Sequence, residues 1–598
     1  MSLLTRIRGA RAADRNRAER AGTDPTGTGT DPTGTGTDPT GTGTDPAETG
    51  RTRRGFPVRR IAAALATTLA ALLVLATLIA PTDAGLLTPT SFLRIPAEAL
   101  LGVALLLVLP ARLRRLAAVL AGAYLGLLAL VKIIDVGFVK VLARPFDPAI
   151  DWVLGDEATR FVASTYGSRT ATAAVIGAVL LAATVLVLMI WSLLRLTRLV
   201  VRHDTAARRA VAALTLVWFA SAAFGVQIVK DVPVAAQSVY RAVQVPRSLH
   251  DKEVFAEASA IDAFRDTPGD EMLTALRGKD VIISFVESYG RDAVADPEFA
   301  PQVGAVLDAG TRRLAEDGFA ARSAYLTSPT AGGNSWLAHA TLASGLWVNN
   351  QQRYRTLLAG DRMTLGTAFR RAEWRTVGVE PGHNYDWPEG AIYGMDRVYD
   401  SRHLGYRGPR FGFASVPDQY TLGAFERLER GRADRGPLMS QMVLVSSHAP
   451  WTPRPRLVGW DQLGDGSVLR TVAAAGAKED DAWRSNAQIR ADYRESIEYS
   501  LESLISYVER YGDDRLVLVV VGDHQPAPVI TGRGASRDVP ITIVTRDRGV
   551  LDRVSGWNWH DGLRPGPDAP VWRMDAFRDR FLTTFGSTPQ PVRAAPPG

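Results

Sequence analysis

The sequence contains no cysteine among its 598 residues. This absence excludes disulfide bonds, thiolate metal ligands and a cysteine nucleophile, but it indicates no compartment, because extracellular proteins also fold without disulfides. Histidine is scarce as well, with eight residues, so a histidine that follows a predicted strand is a candidate functional group. The formal charge is +7, and much of the basic excess flanks apolar segments. That pattern favours a membrane protein, and we expect no nucleic-acid partner.

Residues 1–60 contain few apolar side chains. The heptapeptide TDPTGTG occurs at 23–29, 30–36 and 37–43, and the related TDPAETG follows at 44–50. A seven-residue period is typical of coiled coils, but these repeats lack the apolar a and d positions that a coiled coil needs. Because such a segment buries too little apolar surface to fold, we expect a disordered cytoplasmic tail.

Long apolar runs follow the tail and predict a membrane domain over 61–228. A helix that crosses a bilayer needs about 20 mostly apolar residues. The first run has this length, lies too deep in the chain for a typical signal peptide, and ends without a clear cleavage site. The clearest run is AAVIGAVLLAATVLVLMIWSLL. We expect five spanning helices, at 61–80, 93–110, 116–137, 173–194 and 210–228.

Clusters of arginine predict the orientation of these spans. With five spans, all the clusters fall on one side of the membrane, and the positive-inside rule makes that side cytoplasmic. The loop 81–92 carries no Lys or Arg. The N-terminus is therefore expected inside the cell and the chain after the fifth span outside, in a multi-pass protein of the plasma membrane. Lys132 and Asp135 are expected near the outer end of the third span. The clusters comprise Arg51, Arg53, Arg54, Arg59 and Arg60, then Arg112, Arg114 and Arg115, then Arg195, Arg198, Arg202, Arg208 and Arg209.

A mixed-charge connector over 229–278, with helices expected on the bilayer surface, leads into the last domain. From 279 onward, short β-branched runs alternate with longer helix-like segments, which is typical of an α/β domain with a mostly parallel sheet. The segment 488–512 has amphipathic helical spacing and ends at a glycine. We therefore predict an extracellular α/β domain over 279–598. Its buried strands are expected at VIISF (281–285), TVGVE (376–380), QMVLVS (441–446), LVLVVV (516–521) and ITIVT (541–545).

Polar side chains follow three of these strands. Glu287 follows the first strand, His448 the third, and the pair Asp523 and His524 the fourth. Chemistry in open α/β sheets gathers beyond the carboxyl ends of the strands, so we expect these groups at one rim. Each has an ordinary structural role when it is considered alone: a helix-start acid, a core histidine or a helix cap. Their repetition at strand ends favours a common site.

The stretch TAGGNSWLAHATLASG (330–345) supplies a hydroxyl for this rim. Two glycines and an asparagine precede Ser335, which begins a helix-like segment. Alone, Ser335 could be a helix N-cap. A neighbouring divalent cation would make its hydroxyl a nucleophile, and the helix start would present N–H groups to a phosphate or sulfate ester. Oxygen ligands with one imidazole suit Mn²⁺, Mg²⁺ or Zn²⁺. His339 lies four residues later, where packing is the expected role.

The motifs FVES, GGNS and VGDHQP, in this order, resemble the sulfatase-type domain of the alkaline phosphatase superfamily. Spans followed by an outward-facing domain of this type resemble the lipoteichoic acid synthases and related phosphoglycerol transferases. The resemblance implies one divalent ion, Mn²⁺ by preference, held by Glu287, Ser335, Asp523 and His524, with Ser335 as the catalytic nucleophile. It also implies that His448 helps to bind the phosphate of the substrate.

The same resemblance implies that His383 and Trp387, in PGHNYDW, line a glycerol-phosphate pocket. The chain departs from the family pattern at two points. The synthases use threonine where this chain has Ser335, and an arginine expected just past Trp387 is missing, with Glu389 nearby instead. The Cys/Ser-x-Pro-x-Arg signature of true sulfatases is not found at Ser335. His560 lies beyond the best-matching region and has no assigned role.

These observations predict a membrane-anchored, metal-dependent phosphotransferase or phosphodiesterase. The expected reaction transfers phosphoglycerol-type groups from a lipid to a cell-envelope acceptor, so the partners are the lipid bilayer and a phospholipid or ester substrate. One alternative is a sulfatase-like hydrolase of sulfate or phosphate esters, which would release inorganic sulfate or phosphate. The other is a non-catalytic membrane sensor that has kept the fold, against which the intact ligand set argues.

Overall fold

The computed structural model describes residues 58–81, 95–223, 234–475, 485–587 and 589. The predicted tail lies outside these residues up to residue 57, and the first helix begins at Val58. The helices are α1 (Val58–Ile79), α2 (Ala97–Val108), α3 (Ala111–Leu142), α4 (Leu154–Tyr166), α5 (Ser168–Arg202), α6 (Asp204–Ala223), α7 (Val234–Ala260), α8 (Asp292–Ala295), α9 (Ala300–Glu316), α10 (Ser335–Ser344), α11 (Gln351–Leu358), α12 (Leu365–Arg371), α13 (Asp418–Phe425), α14 (Leu469–Ala475), α15 (Asn486–Tyr511), α16 (Pro528–Thr531), α17 (Arg548–Arg553) and α18 (Phe577–Thr584).

Nine strands form one mixed sheet in the order β4-β3-β5-β1-β6-β7-β2-β8, with β9 beside β2. The half of the sheet from β4 to β6 is parallel, whereas β7 runs antiparallel to both β6 and β2. Apolar layers cover both faces of the sheet. The strands are β1 (Asp280–Val286), β2 (Ala320–Thr327), β3 (Arg375–Glu380), β4 (Arg397–Asp400), β5 (Leu438–Leu444), β6 (Leu516–Gly522), β7 (Asp538–Thr545), β8 (His560–Asp561) and β9 (Val571–Arg573).

The predicted α/β domain is confirmed, and the five predicted strands all exist. The sheet is mostly parallel, as expected: β1, β3, β5 and β6 run in one direction, and β7 is the predicted strand that runs the other way. A strand that is buried on both faces has the same apolar pattern whichever way it runs, so the pattern of β7 carries no information about direction. The long helix predicted over 488–512 is α15, at Asn486–Tyr511.

Three described helices, α1, α3 and α5, are long and apolar enough to cross a membrane, which matches three of the predicted spans. The helix α2, in the predicted span 93–110, has only 12 residues, fewer than the about 20 that a crossing needs. The predicted span 210–228 overlaps α6, and residues 224–228 lie outside the described part of the chain. The count of five spans therefore stays a prediction.

Polar contacts show how the three long helices run. The Nζ of Lys132 in α3 donates hydrogen bonds to the carbonyls of Thr77 and Ala80 at the end of α1, at 2.8 and 2.7 Å. Near the end of α5, Arg195 donates to the carbonyl of Ala63 at the start of α1, at 2.6 Å. Thus α1 and α3 run in one direction and α5 in the other. The arginine-rich start of α3 and end of α5 therefore lie at the same end of these helices.

The helix α7 joins the membrane helices to the sheet domain. Its Arg241 donates to the carboxylate of Asp135 in α3, which is 1% exposed and also accepts from the backbone N–H of Phe146. A buried carboxylate needs such partners to offset its lost hydration. Asp135 therefore holds α7 against α3, and the expectation that the connector helices lie on the bilayer surface stays a prediction. Lys132 thus bonds to the end of α1, whereas Asp135 bonds to α7 and to the backbone after α3.

A fully buried ion pair ties the segment after α7 to the C-terminal helix α18. Arg578 donates to both oxygens of Asp262, at 2.7 and 3.1 Å, and both side chains are 0% exposed. Arg578 also lies against Gly345, at the end of α10. Because α10 begins with Ser335, this pair fixes a helix that carries a predicted site residue.

We expect the substitution Arg578→Met to destabilise the sheet domain strongly, because it leaves Asp262 buried with the more distant Arg362 at 3.4 Å. Removing one partner of a buried ion pair costs about 3–5 kcal/mol. The matched control is Arg510→Met, since Arg510 is 50% exposed and pairs with an exposed Asp461, an arrangement worth about 0–1 kcal/mol. Thermal unfolding of the detergent-solubilised chain measures both, and equal unfolding temperatures would contradict the prediction.

Candidate active site

Three neighbouring parallel strands bring the predicted ligands together. Glu287 follows β1, which lies between β5 and β6. His448 lies beyond the end of β5, and Asp523 and His524 directly follow β6. Carboxyl ends of parallel strands meet at one edge of a sheet, so strand order alone places these side chains at one rim.

The side chains of Glu287, Asp523 and His524 form the one group of possible metal ligands found among the described residues. One ligand atom from each lies within 4.8 Å of the others, and all three residues are buried. The Nε2 of His524 is 3.3 Å from Oε1 of Glu287 and 3.9 Å from Oδ2 of Asp523. Its Nδ1–H donates to the carbonyl of Gln525 at 2.8 Å, which directs Nε2 toward the carboxylates.

Ser335 joins this group through its side chain. Its Oγ donates to Oε2 of Glu287 at 2.9 Å and lies 3.1 Å from Nε2 of His524. The N-cap of α10 is Asn334, so Ser335 is the first helical residue and not the cap. The N-cap role that the sequence left open is therefore wrong, because the hydroxyl points at the metal-ligand candidates.

The residues fit a divalent cation. Two buried carboxylates next to each other repel unless a positive charge lies between them. Oδ1 of Asp523 accepts from the backbone N–H groups of Ser288 and His524, both at 2.7 Å, whereas its Oδ2 has no hydrogen-bond partner in the described chain. An oxygen left without a partner between a carboxylate and an imidazole is the arrangement that a metal ligand requires. The donor set is oxygen-rich with one nitrogen, as predicted, and it selects no particular metal.

Burial and mutual charge shift the pKa values of Asp523, His524 and Glu287. Burial and the charge of Glu287 raise the pKa of Asp523 well above its usual range. Burial alone would lower the pKa of His524, but the charges of Asp523 and Glu287 raise it to about 9. For Glu287, burial acts upward, yet the hydrogen bond and charge of His524 hold its pKa well below the usual range. Protons thus occupy positions that a cation would take.

His448 lies close enough to Glu287 for its charge to help lower the pKa of that carboxylate. Its Nδ1–H donates to the carbonyl of Ala449 at 2.5 Å, and its ring stacks on Phe413 with centroids 3.8 Å apart. The backbone carbonyl therefore fixes the ring and leaves Nε2 for a substrate. This placement agrees with the predicted phosphate contact, which remains a prediction.

His383 and Trp387 lie beyond the end of β3, which pairs with β5. Their ring centroids are 6.2 Å apart, and Nδ1 of His383 has no partner in the described chain. His339 is buried and packs against Phe285 with ring centroids 4.1 Å apart in a tilted arrangement. Burial lowers its pKa to about 3.

The sequence analysis did not identify the residues that hold the turn before Ser335. We call this turn, residues 330–334, the nucleophile turn. The carbonyl of Gln525 accepts from the N–H of Gly332 at 2.8 Å, and Thr330 Oγ1 donates to the carbonyl of Gly333 at 2.7 Å. Gln525 stands directly after His524 in VGDHQP, so its position in the motif was a usable signal. His560 forms part of β8, across the sheet from the rim strands, and has no role at this site.

The end of the membrane helix α3 packs against the nucleophile turn. Gly332 has φ +74° and Gly333 has φ +153°, values that favour glycine. A Cβ on Gly332 would also collide with the carbonyl oxygen of Val141 in α3. The turn that presents Ser335 is therefore seated on a helix that the sequence assigns to the membrane, and no sequence pattern indicated this contact.

Comparison with known proteins finds no matching family model and no matching curated protein. Similar solved structures include the lipoteichoic acid synthase LtaP from Listeria monocytogenes (15% identity, TM-score 0.35, covering 53% of this chain and 74% of that one). They also include an alkaline phosphatase superfamily protein from Vibrio parahaemolyticus (15%, TM-score 0.36, covering 56% and 74%) and the Streptococcus pyogenes phosphoglycerol transferase GacH (11%, TM-score 0.32, covering 56% and 90%). At these levels of sequence identity, we assign to this chain no activity of the similar proteins. A proposal about function must rest on the side chains described above.

We expect the affinity of the chain for Mn²⁺ to rise as the pH rises from neutral toward about 9. The raised pKa of His524 keeps a proton on its imidazole at neutral pH, and a ligand must lose its proton to bind. The charged form of His524 stabilises the cation-free protein below its ordinary pKa, and this contribution disappears as the pH rises through about 9. Titration calorimetry in two buffers measures affinity and proton release; a pH-independent Kd without proton release would refute this.

We expect Gly332→Ala to reduce the activity of the chain by at least about 100-fold, since misplacing a reacting group by about 1 Å has that effect. The control is Gly318→Ala: Gly318 has a similar φ of +82° but open space around its Cβ position. Both variants place an alanine at a positive φ and are strained for that reason. Only the Cβ of Gly332→Ala would also collide with the carbonyl oxygen of Val141. Parallel assays of activity and unfolding temperature separate the two effects, and equal activity in both variants would argue against the contact.

Proposed function

We propose that this chain is a membrane-anchored, metal-dependent phosphotransferase or phosphodiesterase with Ser335 as its nucleophile. The observation that carries the proposal is the position of the Ser335 hydroxyl, 2.9 Å from Glu287 and 3.1 Å from His524. A hydroxyl that contacts both a buried carboxylate and an imidazole at a rim of possible metal ligands is suited to covalent catalysis.

In the first step, Oγ of Ser335 attacks the phosphorus of a phosphodiester. The Oγ–P bond forms while the P–O bond to the leaving alcohol breaks, and Oε2 of Glu287 is placed to accept the hydroxyl proton. The leaving oxygen takes up the proton that Ser335 has lost and departs as an alcohol. In the second step, the oxygen of an acceptor hydroxyl or of water attacks the same phosphorus, the Oγ–P bond breaks, and the proton of the acceptor passes to Oγ of Ser335. Two such steps give ping-pong kinetics.

Glu287, Ser335, Asp523 and His524 would hold the cation, which supplies positive charge at the phosphoryl oxygens and lowers the pKa of the serine hydroxyl. The chain's own residues position the reaction. The left-handed turn at Gly332 and Gly333 brings Ser335 to the rim, and the first N–H groups of α10 lie beside its hydroxyl. His448, held by its Nδ1 hydrogen bond, keeps Nε2 for an oxygen of the substrate.

The contact between α3 and the nucleophile turn supports a lipid-borne donor. The turn packs on Val141 at the end of α3 that is remote from the arginine-rich ends. The positive-inside rule then makes the sheet domain extracellular. Trp152, just beyond α3, is 66% exposed, and tryptophan favours the membrane–water interface. A phospholipid would then present its phosphodiester beside Ser335, with a phosphoglycerol-type group as the transferred group that the sequence motifs imply and a cell-envelope hydroxyl as acceptor.

The second candidate is hydrolysis of a phosphate or sulfate ester at the same serine. The exposed loop around Tyr385, which is 49% exposed, leaves room for water as the acceptor. Inorganic phosphate or sulfate released from a simple ester would favour this reading, whereas a phosphorylated glycerol or sugar product favours transfer.

We expect Ser335→Ala to abolish turnover while the unfolding temperature stays within a few degrees of that of the wild type, because the hydroxyl takes part in the reaction and little of the core depends on it. After incubation with membrane lipid extract and Mn²⁺, mass spectrometry should find a phosphorylated or phosphoglycerol-bearing Ser335 in the wild type.

Ser344→Ala serves as the control, since Ser344 lies on the same helix and its hydroxyl donates to the carbonyl of Ala340 and accepts from the N–H of Leu346. It should retain turnover and the adduct. An active Ser335→Ala protein would rule out the mechanism, and the absence of bound metal in the purified wild type would favour a non-catalytic sensor.

A further inference from the structure

A cluster of acidic and aromatic side chains lies next to the nucleophile, beyond the end of β3. We call it the acid–aromatic cluster; it consists of Glu380, Glu389, Tyr354, His383, Trp387 and Tyr393. Only His383 and Trp387 were predicted to bind substrate, as parts of a phosphoglycerol pocket. The two carboxylates change what such a pocket can hold.

The aromatic members are held by one another. The ring centroids of Trp387 and Tyr393 are 5.2 Å apart, and those of His383 and Tyr385 are 5.1 Å apart in a stacked arrangement. Tyr354 is 5% exposed, and burial raises its pKa. Rings fixed in this way form a preorganised wall that loses little entropy when a ligand binds.

Neither carboxylate of the cluster has an ion-pair partner in the described chain. Glu380 is 7% exposed and accepts no hydrogen bond there, and burial alone raises its pKa to about 8. The charge of Glu389 acts upward on the pKa values of Tyr354, Tyr393 and His383, although burial lowers that of His383 overall. Without a cation beside it, Glu380 keeps its proton at neutral pH, and a positively charged occupant would favour its ionised form.

The cluster is part of the rim that carries Ser335. Gly382, directly before His383, packs against Phe413, and the ring of Phe413 stacks on His448. In sheet order, β3 is separated from β1 by β5 alone. The cluster therefore lies on the same rim as the candidate metal site, beside His448.

Cationic side chains near the cluster are already paired. Arg160 of α4 and its partner Glu157, 3.3 Å apart, both act on the pKa of Tyr385. Arg402 binds Asp400 and Asp386. Burial lowers the pKa of His383, which is therefore uncharged at neutral pH. The net charge facing the cluster is negative.

We propose that the acid–aromatic cluster binds the ammonium group of a zwitterionic phospholipid head group, with Glu389 and Glu380 as charge partners and Trp387 as part of the aromatic wall. This inference rests on the proposed function and names its donor class. An ammonium near carboxylates and aromatic faces is attracted by both. A glycerol head group offers only hydroxyls, which leave two carboxylates uncompensated beside a phosphate.

The test compares two lipids with identical fluorescent acyl chains, phosphatidylethanolamine and phosphatidylglycerol, presented to the full chain with Mn²⁺ in mixed micelles. We expect kcat/KM for diacylglycerol release to favour phosphatidylethanolamine by about tenfold or more, equivalent to about 1.4 kcal/mol. Glu389→Gln should reduce that ratio to near one. Glu389→Arg, which restores the expected arginine, should reverse the preference.

Asp386→Asn is the matched control, because Asp386 lies in the same loop but is 90% exposed and pairs with Arg402 outside the cluster. It should leave the ratio unchanged. A wild type that prefers phosphatidylglycerol, or a Glu389→Gln variant whose ratio equals that of the wild type, would overturn the inference.

A binding assay distinguishes failure of this inference from failure of the proposed function. The full-length Ser335→Ala chain should bind glycerophosphoethanolamine more tightly than glycerophosphoglycerol in titration calorimetry. Equal binding overturns the ammonium site even when the Ser335 adduct forms in the wild type. Preferential binding with no adduct in the wild type instead supports the ammonium site and refutes the proposed nucleophile.

Discussion

The site depends on the confinement of two carboxylates and an imidazole within a few ångströms in the interior of the protein. Glu287 and Asp523 are 4% and 0% exposed, so water cannot screen their repulsion, and the protein alone balances it only by moving protons. The parallel arrangement of β5, β1 and β6 makes this confinement unavoidable, since each strand ends at the same edge. A bound cation would offset the repulsion between these carboxylates and would take them as ligands. The fold supplies the geometry, and the unbalanced charge determines what can bind.

The nucleophile is held by a different constraint, which is contact with the membrane helices. The turn at Gly332 is bound on one side to Gln525, directly after the ligand pair, and touches Val141 on the other. The position of Ser335 therefore depends on both the sheet and α3. The pair of Arg241 with Asp135 reinforces this arrangement by holding the connector helix to α3. Anchoring in this protein is thus a structural part of the site as well as a means of localisation.

The sequence was informative wherever a short-range rule decides the structure. Strand ends revealed Glu287, Asp523 and His524, because buried β-branched runs are recognisable and chemistry collects just beyond them. Glu380, at the end of TVGVE, was not singled out from the sequence, because its lack of a partner depends on side chains that are distant in sequence. The direction of β7 and the contact of Val141 with Gly332 also depend on tertiary packing, for which neither composition nor spacing gives a signal. The helix α2 is shorter than its apolar run, since apolar composition measures the tendency to be buried and not helix length.

The rim has two parts, the group around Ser335 and the acid–aromatic cluster, and no hydrogen bond links them among the described residues. Ser335, Glu287 and His524 share hydrogen bonds with one another, whereas none links them to Glu389 or Glu380 in the described chain. If the proposed function holds, charge changes at the acid–aromatic cluster would alter which head group is held without changing the ligand set at Ser335. A phosphodiester would bring the same negative charge to Ser335 whatever its substituents, so the substituents would distinguish one lipid from another. Carboxylates in place of an arginine would reverse the sign of the field at the substituent, and discrimination between head groups would then follow from charge complementarity more than from shape.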